Sequence, residues 1–210
     1  MSYNRSDMSS PMELPEDYRK AFKDADIRGV YPSEINEQVA FRVARAFVEQ
    51  FKLKEIIVAR DMRESSPALR DAFEKGARMS GANVIDLGMV DTPALYYASG
   101  TYKLPGVMIT ASHNPKEYNG LKLVKSGAIP LTNASGLLKV LKRVEQNKFK
   151  DAPKRGLVRK KKILREYKQY VQGQVKLDVP RDLKIVIDAG NGMASDFEPL
   201  LEGLPIKAKK

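Results

Sequence analysis

Gly106-Val107-Met108-Ile109-Thr110-Ala111-Ser112-His113-Asn114-Pro115-Lys116-Glu117-Tyr118-Asn119-Gly120 is the stretch on which the reading of this chain turns. Its first four residues form an unbroken apolar run, as expected of a strand buried on both faces. The Asn-Pro and Asn-Gly pairs that follow read as turns. Ser112 therefore stands in a polar turn at the carboxyl end of a buried strand, where open α/β sheets place ligands and reacting groups.

On either side, short apolar strands alternate with amphipathic helices. Val39, Val43, Ala46 and Phe47 recur at helical spacing and predict a helix over residues 34–51. Glu55 to Ala59 reads as a buried strand, and Ser65-Ser66-Pro67 as the capped start of a helix carrying Leu69, Ala72, Phe73, Gly76 and Ala77 on one face. Asn83 to Leu87 is a second strand, Thr92-Pro93 opens a helix through Tyr97, and residues 106–110 are the third strand. Leu121 to Val124 and Ala128 to Pro130 form a hairpin across Ser126-Gly127, and a helix from Asn133 to Asn147 follows. This order predicts an α/β fold, a three-layer α/β/α sandwich around a mainly parallel mixed sheet.

The remaining chain reads as a second unit. Residues 1–17 are expected to be a disordered lead-in, 18–147 the first domain, 148–158 a basic linker and 159–210 the incomplete start of a second, similar α/β domain. Ile163, Leu164, Tyr167, Tyr170 and Val171 have helical spacing, and Leu183 to Asp188 is a strand. Ala189 to Ala194 leads into a helix ending near Leu201, and Ile206 begins another strand. One or two strands cannot bury two sheet faces, so the rest of that domain is expected elsewhere.

Composition narrows the function classes. There are no cysteines, which excludes disulfides and thiolate metal sites. No stretch approaches the roughly 20 apolar residues of a membrane helix, and the polar start predicts no secretory signal, so a cytoplasmic address is expected. The formal charge is +11 and is concentrated between Lys139 and Lys168, where thirteen basic residues face three acidic ones. No aromatic-interleaved sheet, zinc spacing or helix-turn-helix accompanies this run. It is read as a solvated helix face and linker rather than a nucleic-acid footprint.

Ser112 has no Gly-x-Ser-x-Gly elbow around it, and the chain has no Walker loop. Gly190-Asn191-Gly192 is only a fragment of a dinucleotide fingerprint, with Ser195 at the third glycine position, and a tight strand-to-helix turn explains it more simply. Arg60, Asp61 and Arg63 are expected to form a structural network. Arg28 has Asp26 and Asp61 as candidate ion-pair partners.

Five ordered segments share one pattern: Phe22 to Gly29, Val58 to Pro67, Asp86 to Pro93, Gly106 to Leu123 and Lys184 to Ala194. Together they resemble the α-D-phosphohexomutases, the phosphomannomutase/phosphoglucomutase family, with departures at Ala25, Ala59 and Met62. The resemblance implies that Ser112 carries a phosphoryl group and passes it to a hexose phosphate, mannose or glucose, through a bisphosphate intermediate. It implies Lys122 as the group that takes the sugar hydroxyl proton, Arg28 as stabiliser of phosphoryl charge or helper in that proton transfer, and His113 and Asn114 as loop and substrate contacts. It also implies Mg²⁺ on the Ser112 phosphate, with a hexose 1,6-bisphosphate as activator. The Asp-Gly-Asp-Gly-Asp-Arg metal loop and the sugar-reading loop of the family are absent from this sequence. The missing C-terminal domains, or a complementary chain, are therefore expected partners, and the 210 residues alone are expected to be nearly inactive. The competing expectation is a non-catalytic phosphate- or polyanion-binding module.

Overall fold

The computed structural model describes residues 13–174, 183–193, 201 and 206–209. One sheet contains β1 (Ile27–Val30), β2 (Glu55–Arg60), β3 (Asn83–Met89), β4 (Gly106–Ile109), β5 (Tyr118–Lys125), β6 (Ile129–Pro130) and β7 (Val158–Lys160). The strand order is β1-β5-β4-β2-β3-β7, with β6 also paired to β5. Strands β4, β2, β3 and β7 pair in parallel, whereas β5 is antiparallel to β4, β1 and β6. Only β5 runs against the others in this sheet, so the sheet is mixed and mainly parallel, as expected.

Alternation along the strands divides the core in two. Ile56, Val58, Val84, Val107, Ile109, Leu121 and Leu123 face α1 (Glu37–Phe51), α2 (Ser66–Met79) and α4 (Leu137–Gln146). Ile57, Ala59, Ile85, Leu87, Met108 and Val124 face α3 (Thr92–Tyr102) and α5 (Leu164–Gln174). Helix, sheet and helix form the expected three layers. Helices α1 and α2 approach so closely that a Cβ on Gly76 would lie 2.4 Å from the Phe41 carbonyl oxygen.

Several boundaries differ from expectation, each for a local reason. Helix α1 starts after Asn36, whose side chain accepts from the Val39 N–H. Ser65 occupies the cap position of α2 but makes no capping bond, because its hydroxyl accepts from the Asn119 side chain instead. Helix α3 is capped by Asp91 and runs on to Tyr102. Helix α4 starts at Leu137 rather than Asn133, since Thr132 and Ser135 bond each other in a preceding turn. Glu13 and Leu14, expected in a disordered lead-in, are tied down: the Glu13 carbonyl accepts from Asn36 and Leu14 packs on the core. Residues 1–12 lie outside the described residues.

The largest correction concerns residues 148–174, expected as a linker and the opening of a second domain. Phe149 packs on the first core beneath the Arg45 guanidinium, which is 5.1 Å from its ring and ion-paired with Asp151 at 2.8 Å. Strand β7 joins the first sheet beside β3, and Ile163 and Tyr167 are buried against the α3 face. Tyr97 stacks against Tyr167 and Tyr170, with ring centroids 5.6 and 4.8 Å away. Tyr102 donates to Glu166, and Lys161 pairs with Glu166 at 3.0 Å. Burial pushes the Tyr102 phenol up, while the bonds from Tyr102 and Lys161 hold the Glu166 carboxyl below its usual range. Apolar residues spaced among lysines thus belong to the first unit's surface layers.

Strands β8 (Leu183–Val186) and β9 (Ile206–Lys209) pair in parallel as a separate two-stranded sheet. The helix expected from Ala194 lies outside the described residues except for Leu201. Among the described residues, no helix is long and apolar enough to cross a membrane.

Candidate active site

The turn after β4 is built from two successive tight bends. The Asn114 N–H donates to the Ala111 carbonyl at 3.1 Å, and the Tyr118 N–H to that of Pro115, also at 3.1 Å. Within the first bend Ser112 is exposed and has φ 56°, a left-handed conformation uncommon for a residue with a side chain. Its hydroxyl is 3.5 Å from His113 Nδ1.

Side chains from the carboxyl end of β2 hold this turn from behind. Arg63 Nη1 donates to the carbonyls of Pro115 and Tyr118 at 2.7 and 2.9 Å. Its Nη2 donates to those of Ser112 and Asn114 at 2.9 and 2.6 Å. Asp61 Oδ2 lies 3.3 Å from Arg63 Nε and accepts from Thr110 Oγ1 at 2.7 Å. Thr110 Oγ1 in turn accepts from the Ser112 N–H at 2.8 Å. The other Asp61 oxygen accepts from the Ser66 hydroxyl and the Arg63 N–H. Asp61, Arg63, Ser66 and Thr110 are all buried, so this is the expected structural network.

The cationic candidates come from the β1–β5 pairing. Arg28 stands opposite Gly120, and both Arg28 and Lys122 lie on the face opposite Ile27, Leu121 and Leu123. Arg28 donates to Asn114 Oδ1 at 3.0 Å, which ties β1 to the serine turn. Lys122 Nζ donates to Asp26 Oδ2 at 3.0 Å, and Arg28 Nε is 3.9 Å from the same oxygen. The site residues named from sequence thus fall into linked contacts: Ser112 with His113, Asn114 with Arg28, and Arg28 with Lys122 through Asp26. Asp26 as the carboxylate shared by both cations was not expected; the antiparallel register that sets Ile27 across from Leu121, and so brings their neighbours Asp26 and Lys122 within reach, carries no local sequence signal.

Asn119-Gly120 is no turn. Both residues lie within β5, where Asn119 donates to the Ser65 and Ser66 hydroxyls at 2.7 and 3.0 Å and accepts from the Gly120 N–H. A Cβ on Gly120 would lie 2.5 Å from the Ile27 carbonyl oxygen and 2.8 Å from that of Thr110, so glycine is required by close strand approach.

Among the described residues, no group of three or more His, Cys, Asp or Glu side chains stands together as a metal site. Asp26 and Asp61 are committed to Lys122 and to Arg63, Thr110 and Ser66. These residues do not by themselves fit Mg²⁺, which demands near-octahedral oxygen coordination.

Residues 19–151 match a family model described as phosphoglucomutase/phosphomannomutase, alpha/beta/alpha domain I. The chain is 39% identical over 179 residues to a phosphomannomutase of Escherichia coli, a match covering 82% of this chain and 39% of that protein. It is 36% identical over 182 residues to a protein of Xanthomonas campestris pv. campestris named phosphohexose mutases, covering 86% of this chain and 41% of that one. A solved phosphoglucomutase/phosphomannomutase family protein from Burkholderia thailandensis superposes with a TM-score of 0.81 at 32% identity, over 93% of this chain and 44% of the other. The chain spans about two-fifths of the length of the curated relatives it matches.

Proposed function

The chain belongs to the phosphoglucomutase/phosphomannomutase family, and on that footing we propose that it carries the phosphoserine part of a hexose-phosphate mutase. In this reading a hydroxyl oxygen of a hexose monophosphate attacks the phosphorus held on Ser112 Oγ. The new O–P bond forms as the Oγ–P bond breaks, the hydroxyl proton passes to Lys122 Nζ in its neutral amine form, and the departing Ser112 Oγ takes up a proton in turn. The resulting bisphosphate turns around and returns its other phosphoryl group to Oγ. Arg28 faces the charge that develops on the transferred group. His113 and Asn114 border the hydroxyl and orient the substrate.

The observation that carries this reading is the Arg28–Asn114 bond of 3.0 Å, which brings a strand 86 residues away to the Ser112 turn. Exposure of the Ser112 hydroxyl beside it supports a role as carrier. The sugar-reading and metal-binding loops implied by the family have no counterpart among the described residues, so full turnover calls for the remaining domains or a complementary chain.

The test is phosphoryl uptake from a hexose 1,6-bisphosphate, followed by peptide mass spectrometry, and mannose 1-phosphate conversion once the complementary part is added with Mg²⁺. Uptake at Ser112, with both activities lost in Ser112→Ala, is the expected result. Turnover that survives Ser112→Ala overturns the proposal.

A further inference from the structure

Four carbonyl oxygens, from residues 112, 114, 115 and 118, converge on one buried guanidinium. That convergence ties both bends of the turn, with Ser112 in the first, to one side chain. The Ser112 peptide is held at both ends by the same ion pair. Its N–H reaches Asp61 through the Thr110 hydroxyl, its carbonyl is bonded directly by Arg63, and Asp61 and Arg63 are 3.3 Å apart. The contacts close into a ring around a residue whose φ of 56° is intrinsically unfavourable for serine. Strain of this kind persists only where the surroundings over-determine it.

We infer that Arg63 is a positioning residue, which with Asp61 and Thr110 clamps the main chain of Ser112 in the left-handed conformation and so sets the direction of its hydroxyl for phosphoryl transfer. The inference rests on the proposed role of Ser112 as phosphate carrier. Arg63 does not touch the reacting atoms; it acts through the four carbonyls. Only a planar fork can serve them together, so a lysine that keeps the charge does not replace it. Relaxed to an ordinary φ, the Ser112 side chain would leave the turn at a different angle, and a misplacement of that size is costly for in-line transfer.

Two variants of the full chain test this, Arg63→Lys and Thr110→Val, read by amide hydrogen exchange and, with the complementary part and Mg²⁺ added, by phosphoryl uptake from a hexose 1,6-bisphosphate. Amides of residues 111–118 are expected to exchange about ten- to a hundredfold faster in both variants, with β2, β3 and β4 amides unchanged. Uptake is expected to slow by about tenfold or more at unaltered affinity for the bisphosphate, a split that a merely structural loss would not give. Unchanged exchange in the turn, or faster exchange with uptake at the wild-type rate, overturns the inference. If neither wild type nor variants take up phosphate while Ser112 phosphorylated by other means is also inert, the carrier reading fails and this inference with it. Should Arg63→Lys unfold, shown by lost protection across the sheet, Thr110→Val alone decides.

Discussion

In the Ser112 turn the fixed parts are main-chain groups, bonded to an Arg63–Asp61 pair that is buried on all sides. In the adjoining Arg28–Asp26–Lys122 group the fixed parts are side-chain charges, with Arg28 and Lys122 about a quarter exposed. The two regions meet at the Arg28–Asn114 bond, yet they store free energy differently. A buried ion pair that loses one partner leaves a charge with no solvent to receive it, at a cost of about 3–5 kcal/mol. A pair whose cation is reached by water loses less, and Asp26 keeps its second cation when one of the two is removed. The turn is therefore built to stay still, while the cation group is held by contacts that water can partly replace.

That contrast can be broken or sharpened by substitution. The largest expected effect is on rate: Lys122→Met should slow phosphoryl exchange at Ser112 by about a hundred- to ten-thousandfold, with the melting temperature nearly unchanged. A large loss of stability in that variant would remove the distinction. Asp61→Asn should do the reverse, lowering unfolding free energy by about 3 kcal/mol in urea titrations. A loss below about 1 kcal/mol would mean that Arg63 finds other partners. Gly120→Ala, at the seam of the two regions, should cost about 1–3 kcal/mol through overpacking against the Ile27 and Thr110 carbonyls. Its β1–β5 amides should lose exchange protection before those of β2 and β3.

The smallest effect lies far from the site. Glu166 is held below its usual range by Tyr102 and Lys161, so its contribution to stability is present above about pH 4.3, the unfolded value. It fades as pH falls through the lower folded value. Glu166 is half-exposed and screened by solvent, so Glu166→Gln should change stability by about 0.5 kcal/mol or less at pH 7 and by nothing in strong acid. A larger change would mean that α5 is held to α3 chiefly by charge rather than by the Tyr97–Tyr167–Tyr170 packing.

Much of this architecture was legible where period and composition agree. The runs at 55–59, 83–87 and 106–109 are buried strands because both faces carry apolar residues. The Ser112 turn was legible because Asn-Pro punctuates the end of such a run. Asn119-Gly120 misled because its local turn chemistry is overridden by tertiary demands, two serine hydroxyls for Asn119 and two nearby carbonyls for Gly120. The segment from Phe149 to Tyr167 misled for the opposite reason. Its lysines dominate the composition, while the few residues that decide its place, Phe149, Val158, Ile163 and Tyr167, are spread over strand, loop and helix. Asp26 was invisible as the shared partner of Arg28 and Lys122, since only the β1–β5 register brings it there.

The single reversed strand, β5, has a consequence for the order in which the molecule assembles. Because β5 runs back along β4, the Ser112 turn is the tip of a hairpin whose rungs join Gly106 to Val124 and Ile109 to Leu121. Those contacts close over short chain separations, whereas the parallel neighbours β2 and β3 need helical crossovers. The hairpin can therefore form early with its tip unsettled. The tip acquires its geometry only when β2 arrives and delivers Arg63, whose bond to Ser112 spans 49 residues. The Ser112 turn would thus be one of the last features to mature, and its completion would report that the sheet has closed around it.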